Sequence, residues 1–201
     1  MVRFIWILLL ATWLEAGAQC AGTQSFSLTP APPAGGYSPG TTVTVCYSMQ
    51  NWNGTLVQSN WLEGFSITLG PGWTGLTPSS PPTNCSGNGN WLWLLTSTSA
   101  STGLTVGPGW FFNSQQGCSP CNNSQAGDDW GDFGTSCNWT FCFTVTVSNS
   151  CSPQNLLIQV TAGADGSWGS WSQAACPIAP FQVYNGNSNP QLPSLGTISH
   201  N

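Results

Sequence analysis

The chain has 201 residues, with one cation among Lys and Arg, six residues among Asp and Glu, one His and a formal net charge of −5. Arg3 is that cation, so nothing beyond it can clamp a phosphate or neutralise a nucleic-acid backbone, and nucleic-acid binding is excluded as a function class. What remains is rich in Gly, Ser, Thr and Asn, with twelve Trp and nine Cys.

The N-terminus reads as an export signal: Met1-Val2-Arg3 carries the positive charge, Phe4 to Leu14 is apolar, and Ala16-Gly17-Ala18 fits cleavage after Ala18. The apolar run is about half of the ~20 residues that span a bilayer, so no membrane segment is expected in the mature form. Gln19 is too large for the small residue that normally precedes a lipidated cysteine, which argues against an anchor on Cys20. The sequence therefore divides into a signal at 1–18, one domain at 19–184 and a polar, Pro-containing tail or exchange arm at 185–201.

Beyond the signal no apolar period of 3.6 persists over ten residues. Short alternating runs, separated by Gly, Pro, Asn and Ser, predict an all-β chain. Strands are expected near Ser25–Thr29, Thr42–Met49, Gly64–Leu69, Trp91–Thr96, Trp110–Asn113, Trp139–Ser148, Leu156–Thr161 and Phe181–Tyr184. Gly70-Pro71-Gly72-Trp73 and Gly107-Pro108-Gly109-Trp110 repeat one turn sequence, and Pro before Gly suits a type II turn. The spacing predicts a disulfide-stabilised, two-sheet antiparallel β-sandwich, Ig-like or jelly-roll-like.

Two strands show their faces plainly. Val43, Val45, Tyr47 and Met49 alternate with Thr44, Cys46 and Ser48, and Trp139, Phe141, Phe143, Val145 and Val147 alternate with Thr140, Cys142, Thr144 and Thr146. Both cysteines stand on the threonine side. A bridge between them would join neighbouring strands across an outer face, although spacing alone does not fix connectivity.

All nine cysteines (Cys20, Cys46, Cys85, Cys118, Cys121, Cys137, Cys142, Cys151 and Cys176) follow the signal, and an exported chain meets oxidising conditions, so disulfides are expected. Nine cannot all pair within one chain. Cys20, near the mature N-terminus, is the candidate to remain free or reach another molecule. Cys118 and Cys121 followed by Cys137 and Cys142 approach zinc-ribbon spacing, but the second pair is too widely spaced for a good match.

Asp128, Asp129 and Asp132 lie together in a glycine-flanked stretch and could offer oxygens to calcium, the one cofactor the sequence suggests. The alternative is an acidic turn. Adjacent Asp128 and Asp129 point in opposite directions in an extended chain, which argues against a glycosidase carboxyl pair. His200 is in the tail and no Gly-x-Ser-x-Gly elbow occurs, so an enzyme is not expected. Asn53, Asn84, Asn122 and Asn138 open Asn-x-Ser/Thr motifs, and glycans there, or on Ser and Thr, would solubilise an almost uncharged surface. Trp91 and Trp93 share a strand face, while Trp168 and Trp171 sit in a stretch too polar for a core strand. Exposed, these rings would stack on sugars or pack against another subunit.

The segments Thr42–Met49, Gly70–Trp73, Asn84–Trp91, Gly107–Phe112, Trp130–Asp132 and Cys137–Cys142 together resemble an uncharacterised domain that recurs in secreted, cysteine-containing cell-surface proteins of Bacteroidota-type bacteria. The resemblance spans about Ser25 to Cys176. It implies an extracellular location and a β-sandwich, and brings no catalytic residues. The sequence thus leads to the expectation of an extracellular, self-assembling structural subunit of a filament, tube or sheath, probing no nucleic acid and binding copies of itself. A carbohydrate-binding or adhesive module, with bound or covalent glycans as partners, is the alternative.

Overall fold

The computed structural model describes residues 21–52, 61–98, 103–114, 126, 131–132, 136–164 and 180–190. Among them all regular structure is β, in eleven strands. In chain order these are β1 (Gln24–Thr29), β2 (Thr42–Gln50), β3 (Leu62–Leu69), β4 (Trp73–Ser80), β5 (Gly89–Leu94), β6 (Ser97–Thr98), β7 (Thr105–Val106), β8 (Gly109–Ser114), β9 (Asn138–Val147), β10 (Ile158–Ala164) and β11 (Phe181–Tyr184). One sheet has the order β1-β2-β9-β4, a second β11-β10-β3-β8-β5, and β6 and β7 form a small ribbon. Every pairing is antiparallel.

Period-two alternation builds the core. The β2–β9 ladder places Val43 opposite Val145, Val45 opposite Phe143, Tyr47 opposite Phe141 and Met49 opposite Trp139, all buried. The second sheet answers with Phe65, Ile67, Ile158, Val160 and Phe112. Rings cross between the sheets: Phe65 stacks on Phe141 with centroids 4.8 Å apart, Tyr47 on Phe65 at 5.0 Å, and Trp91 meets Phe141 edge-on at 5.0 Å. Such pairs each add about 0.5–1.5 kcal/mol beyond area burial. This is the two-sheet sandwich the alternation predicts.

Boundaries shift in places. The strand expected over Trp91–Thr96 runs over Gly89–Leu94, and that expected over Leu156–Thr161 runs over Ile158–Ala164. β4 was not expected, because Trp73–Ser80 contains Gly75 and Pro78 and lies mostly exposed at a sheet edge. The two Gly-Pro-Gly-Trp segments are not type II turns. In the first, Trp73 N donates to Gly70 O at 3.2 Å, but Gly72 lacks the positive φ that type II requires. In the second, Gly109 already belongs to β8, and the Gly107–Pro108 peptide is cis. Close approach explains these glycines better than turn type does: a Cβ at Gly72 would meet Asn155 O at 2.7 Å, and one at Gly109 would collide with Phe65 O.

The first part of the expected tail is bound to the domain. Gly186 O accepts from Leu156 N at 2.8 Å, Ser188 N donates to Gln154 O at 2.9 Å, and Asn189 N donates to Tyr37 O at 2.7 Å. A free arm could therefore begin only after residue 190, outside the described residues. Residues 1–20, with the expected export signal, also lie outside the described residues.

Candidate functional site

The outer face of the four-stranded sheet is almost entirely hydroxyl. The register aligns Thr29, Thr44, Thr144 and Thr77 in one row across all four strands, with Thr42, Thr146 and Thr74 in the row beside it. On the other side come Ser27, Cys46, Cys142 and Ser80, then Ser25, Ser48 and Thr140. No charged residue interrupts these rows. Neighbouring hydroxyls bond to one another: Thr42 to Thr146 at 3.1 Å, Ser48 to Thr140 at 2.9 Å and Thr77 to Thr144 at 2.6 Å. Each hydroxyl offers one donor and two acceptor positions, so much bonding capacity still faces outward.

Cys46 and Cys142 are directly opposite in this face, with Cα atoms 4.2 Å apart, and form a disulfide. That spacing belongs to a non-hydrogen-bonded antiparallel pair, where side chains come closest. The bridge therefore joins neighbouring strands and does not cross the core. A second disulfide links Cys85 to Cys137, with Cα atoms 5.7 Å apart. These two pairings take Cys137 and Cys142 out of the zinc-ribbon set, because a disulfide sulfur has no thiolate to give a metal. Cys151 has a free, exposed thiol beside a cleft of about 380 Å³ lined by Ser38, Pro39, Asn149 and Ser150. Cys20, the expected spare, lies outside the described residues with Cys118, Cys121 and Cys176.

The structure gives Asp132 a task that neither sequence reading, a solvated acidic turn or a calcium ligand, describes. Its side chain is buried, and Oδ2 accepts from Cys85 N at 2.7 Å and from Trp139 Nε1 at 2.8 Å. Oδ1 accepts from Gly87 N at 2.7 Å. Its backbone exchanges two hydrogen bonds with Leu62, at 2.8 and 2.9 Å. Converging N–H dipoles present positive charge where a cation would have to sit, so these oxygens serve the fold. Asp132 thereby ties the start of β3, the turn before β5 and the start of β9 into one knot beside the Cys85–Cys137 bridge. Gly87 has no alternative residue here: a Cβ would lie 2.7 Å from Asp132 Oδ1 and 2.8 Å from Phe112 Cζ. Asp128 and Asp129 lie outside the described residues. Among the described residues, no three His, Cys, Asp or Glu side chains gather as a metal site would need.

The tryptophans divide. Trp91 is 5% exposed and packs against Phe112 and Phe141, so it belongs to the core and offers no platform. Trp93 is partly exposed and meets Trp110 edge-on at 5.5 Å. Trp168 and Trp171 lie outside the described residues. Among the sequons, Asn138 is exposed at the start of β9, and Asn84 is half-buried with its amide donating to Gly89 O. These two asparagines adjoin the two ends of the Cys85–Cys137 bridge. Asn53 and Asn122 are outside the described residues.

Tyrosine hydroxyls complete the polar interior. Tyr37 donates to Pro30 O at 2.6 Å, and burial, reinforced by Tyr184, pushes its phenol up to about 12. Tyr47 donates to Gln24 Oε1 at 2.6 Å, and burial pushes its phenol up as well.

No family model matches the chain, and no curated protein matches it. Among solved structures it has a likeness to a DUF4466 family protein from Parabacteroides merdae, at 13% identity and a TM-score of 0.33. The match covers 82% of this chain and 44% of that one. At that score the likeness carries no argument about fold, location or function. The sandwich and its disulfides rest on the chain's own geometry.

Proposed function

We propose that this chain is a structural subunit of an extracellular, self-assembling filament, tube or sheath, glycosylated on its surface and without enzymatic activity. The observation that carries the reading is the uncharged outer sheet: four strands of Ser and Thr, braced by Cys46–Cys142, with no Lys or Arg anywhere after Arg3. Copies with so few charges do not repel one another at short range, and net charge is the ordinary means of keeping a protein monomeric. Disulfides support export to an oxidising compartment and durability there. Glycans at Asn84, Asn138 or the Ser and Thr rows would supply the solubility that charge does not.

A carbohydrate-binding or adhesive module is the second reading. The outward bonding capacity of the hydroxyl rows favours it, whereas the burial of Trp91 removes one of the stacking platforms on which it relied. Sedimentation of the secreted protein separates the two readings. A pelletable polymer at native concentration supports the structural subunit; a monomer retained by insoluble polysaccharide supports the binding module.

A further inference from the structure

Among the described residues the sandwich has four edge strands, and they are unequal. Phe26 of β1 meets Phe181 of β11 edge-on at 6.2 Å, so β1 and β11 share one flank. Trp91 of β5 contacts Phe141 of β9, the neighbour of β4, which puts β5 and β4 on the opposite flank. On each flank one edge is guarded. β4 contains Pro78, and its pairing with β9 shifts register twice. β11 has only four residues, and its pairing with β10 also shifts. Proline, irregularity and shortness are ways of preventing an edge from pairing with another chain.

The other two edges have none of these protections. β1 pairs with β2 over six consecutive residues without a shift, and β5 pairs with β8 in the same way. Neither contains Pro, Lys or any charged residue. Each also carries exposed apolar surface: Phe26 is 45% exposed on β1, Leu92 is 40% exposed on β5, and Leu95 just after it is 72% exposed. A regular strand at a sheet edge presents a row of unpaired N–H and C=O groups, and only another extended strand satisfies the whole row.

We propose that copies of this chain join edge to edge, β5 to β5 on one flank and β1 to β1 on the other. The inference rests on the polymer reading above and assigns its contacts. An antiparallel strand meeting its own copy forms a self-complementary, two-fold contact. One such contact closes a dimer. Two different ones on opposite flanks cannot both be satisfied within a dimer, so the chain of copies stays open, joined alternately through the four-stranded and the five-stranded sheets.

Lysine substitutions test the assignment, because paired copies would bring two ammonium groups into one short ladder with no carboxylate in either strand to offset them. The full secreted chain is compared with Leu92→Lys, Phe26→Lys and the double variant by analytical ultracentrifugation. Asn90→Lys and Ser27→Lys, at exposed positions of the same strands, stand in if a first variant fails to fold. The expected result is a polymer for the unaltered chain, a species of twice the monomer mass for each single variant, and a monomer for the double variant. If the unaltered chain polymerises and the folded lysine variants polymerise equally, the edge assignment is overturned while the polymer reading survives. An unaltered chain that stays monomeric at every concentration overturns both.

Discussion

The two disulfides of the described residues occupy contrasting regions. Cys46–Cys142 lies within the β2–β9 ladder, where nine consecutive residue pairs already hold the strands in register. Cys85–Cys137 joins a turn to the approach of β9, where the β2–β9 ladder ends and where Asp132 collects N–H donors from Cys85, Gly87 and Trp139. In the first region order comes from repetition, and each contact has neighbours that duplicate it. In the second it comes from a few unlike contacts that meet at one carboxylate. A repeated contact can be lost singly; a convergent one cannot.

The largest effect should follow from Asp132→Ala. It leaves Cys85 N, Gly87 N and Trp139 Nε1 without their acceptor, and a buried donor without a partner costs about 1–3 kcal/mol. The sum, about 3–9 kcal/mol, is comparable with the whole stability of a domain, about 5–15 kcal/mol. Denaturant unfolding should show a collapse of the midpoint, or no folded protein at all. A variant of near-native stability would remove Asp132 from the centre of the knot.

Removing either disulfide by a double Cys→Ser change should cost about 4 kcal/mol. Their sequence separations, 96 and 52, differ by less than twofold, so the chain-entropy terms differ by only about 0.5 kcal/mol. Hydrogen exchange should separate what the unfolding midpoint does not. Amides of β2 and β9 should stay protected without Cys46–Cys142, whereas those at Cys85 and Gly87 should exchange faster without Cys85–Cys137. Equal loss of protection in both regions would contradict the distinction between repeated and convergent order.

A smaller difference is expected among the buried indoles. Trp139 Nε1 donates to Asp132, while Trp91 Nε1 is buried with no acceptor. Trp139→Phe should therefore cost about 1–3 kcal/mol more than Trp91→Phe, since the second change loses ring volume but no hydrogen bond. Thermal or chemical unfolding of the two variants checks this.

The smallest effect is alkaline. Tyr37 has a folded-state phenol at about 12 against an ordinary value of 10, so the folded chain holds that proton more tightly than the unfolded chain. Its contribution is complete below pH 10 and is lost as the pH rises toward 12. Tyr37→Phe should flatten the fall in stability over that window, measured by unfolding at successive pH values.

The repeated region was legible in the sequence and the convergent one was not. Thr42–Met49 and Trp139–Val147 show their faces by alternation, so the core, the outer face and the placement of Cys46 and Cys142 on one side could all be read from neighbours in the chain. Asp132 could not be read this way, because its donors at Cys85 and Gly87 are 47 and 45 residues away, and an aspartate among glycines looks like a solvated turn. Trp91 and Trp93 share a face as expected, but their unequal burial depends on β9 and β8 beneath them. β4 was missed because its glycine and proline contradict strand propensity, which neighbouring β9 overrides. Which edges are open depends on strand order, and alternation does not report strand order.

Electron microscopy of the purified chain over a range of concentrations tests the central claim most directly. The account predicts long regular polymers whose repeat is a pair of sandwiches related by a two-fold axis, formed without an added ligand. A field of dispersed particles the size of one sandwich, unchanged as concentration is raised, would contradict it.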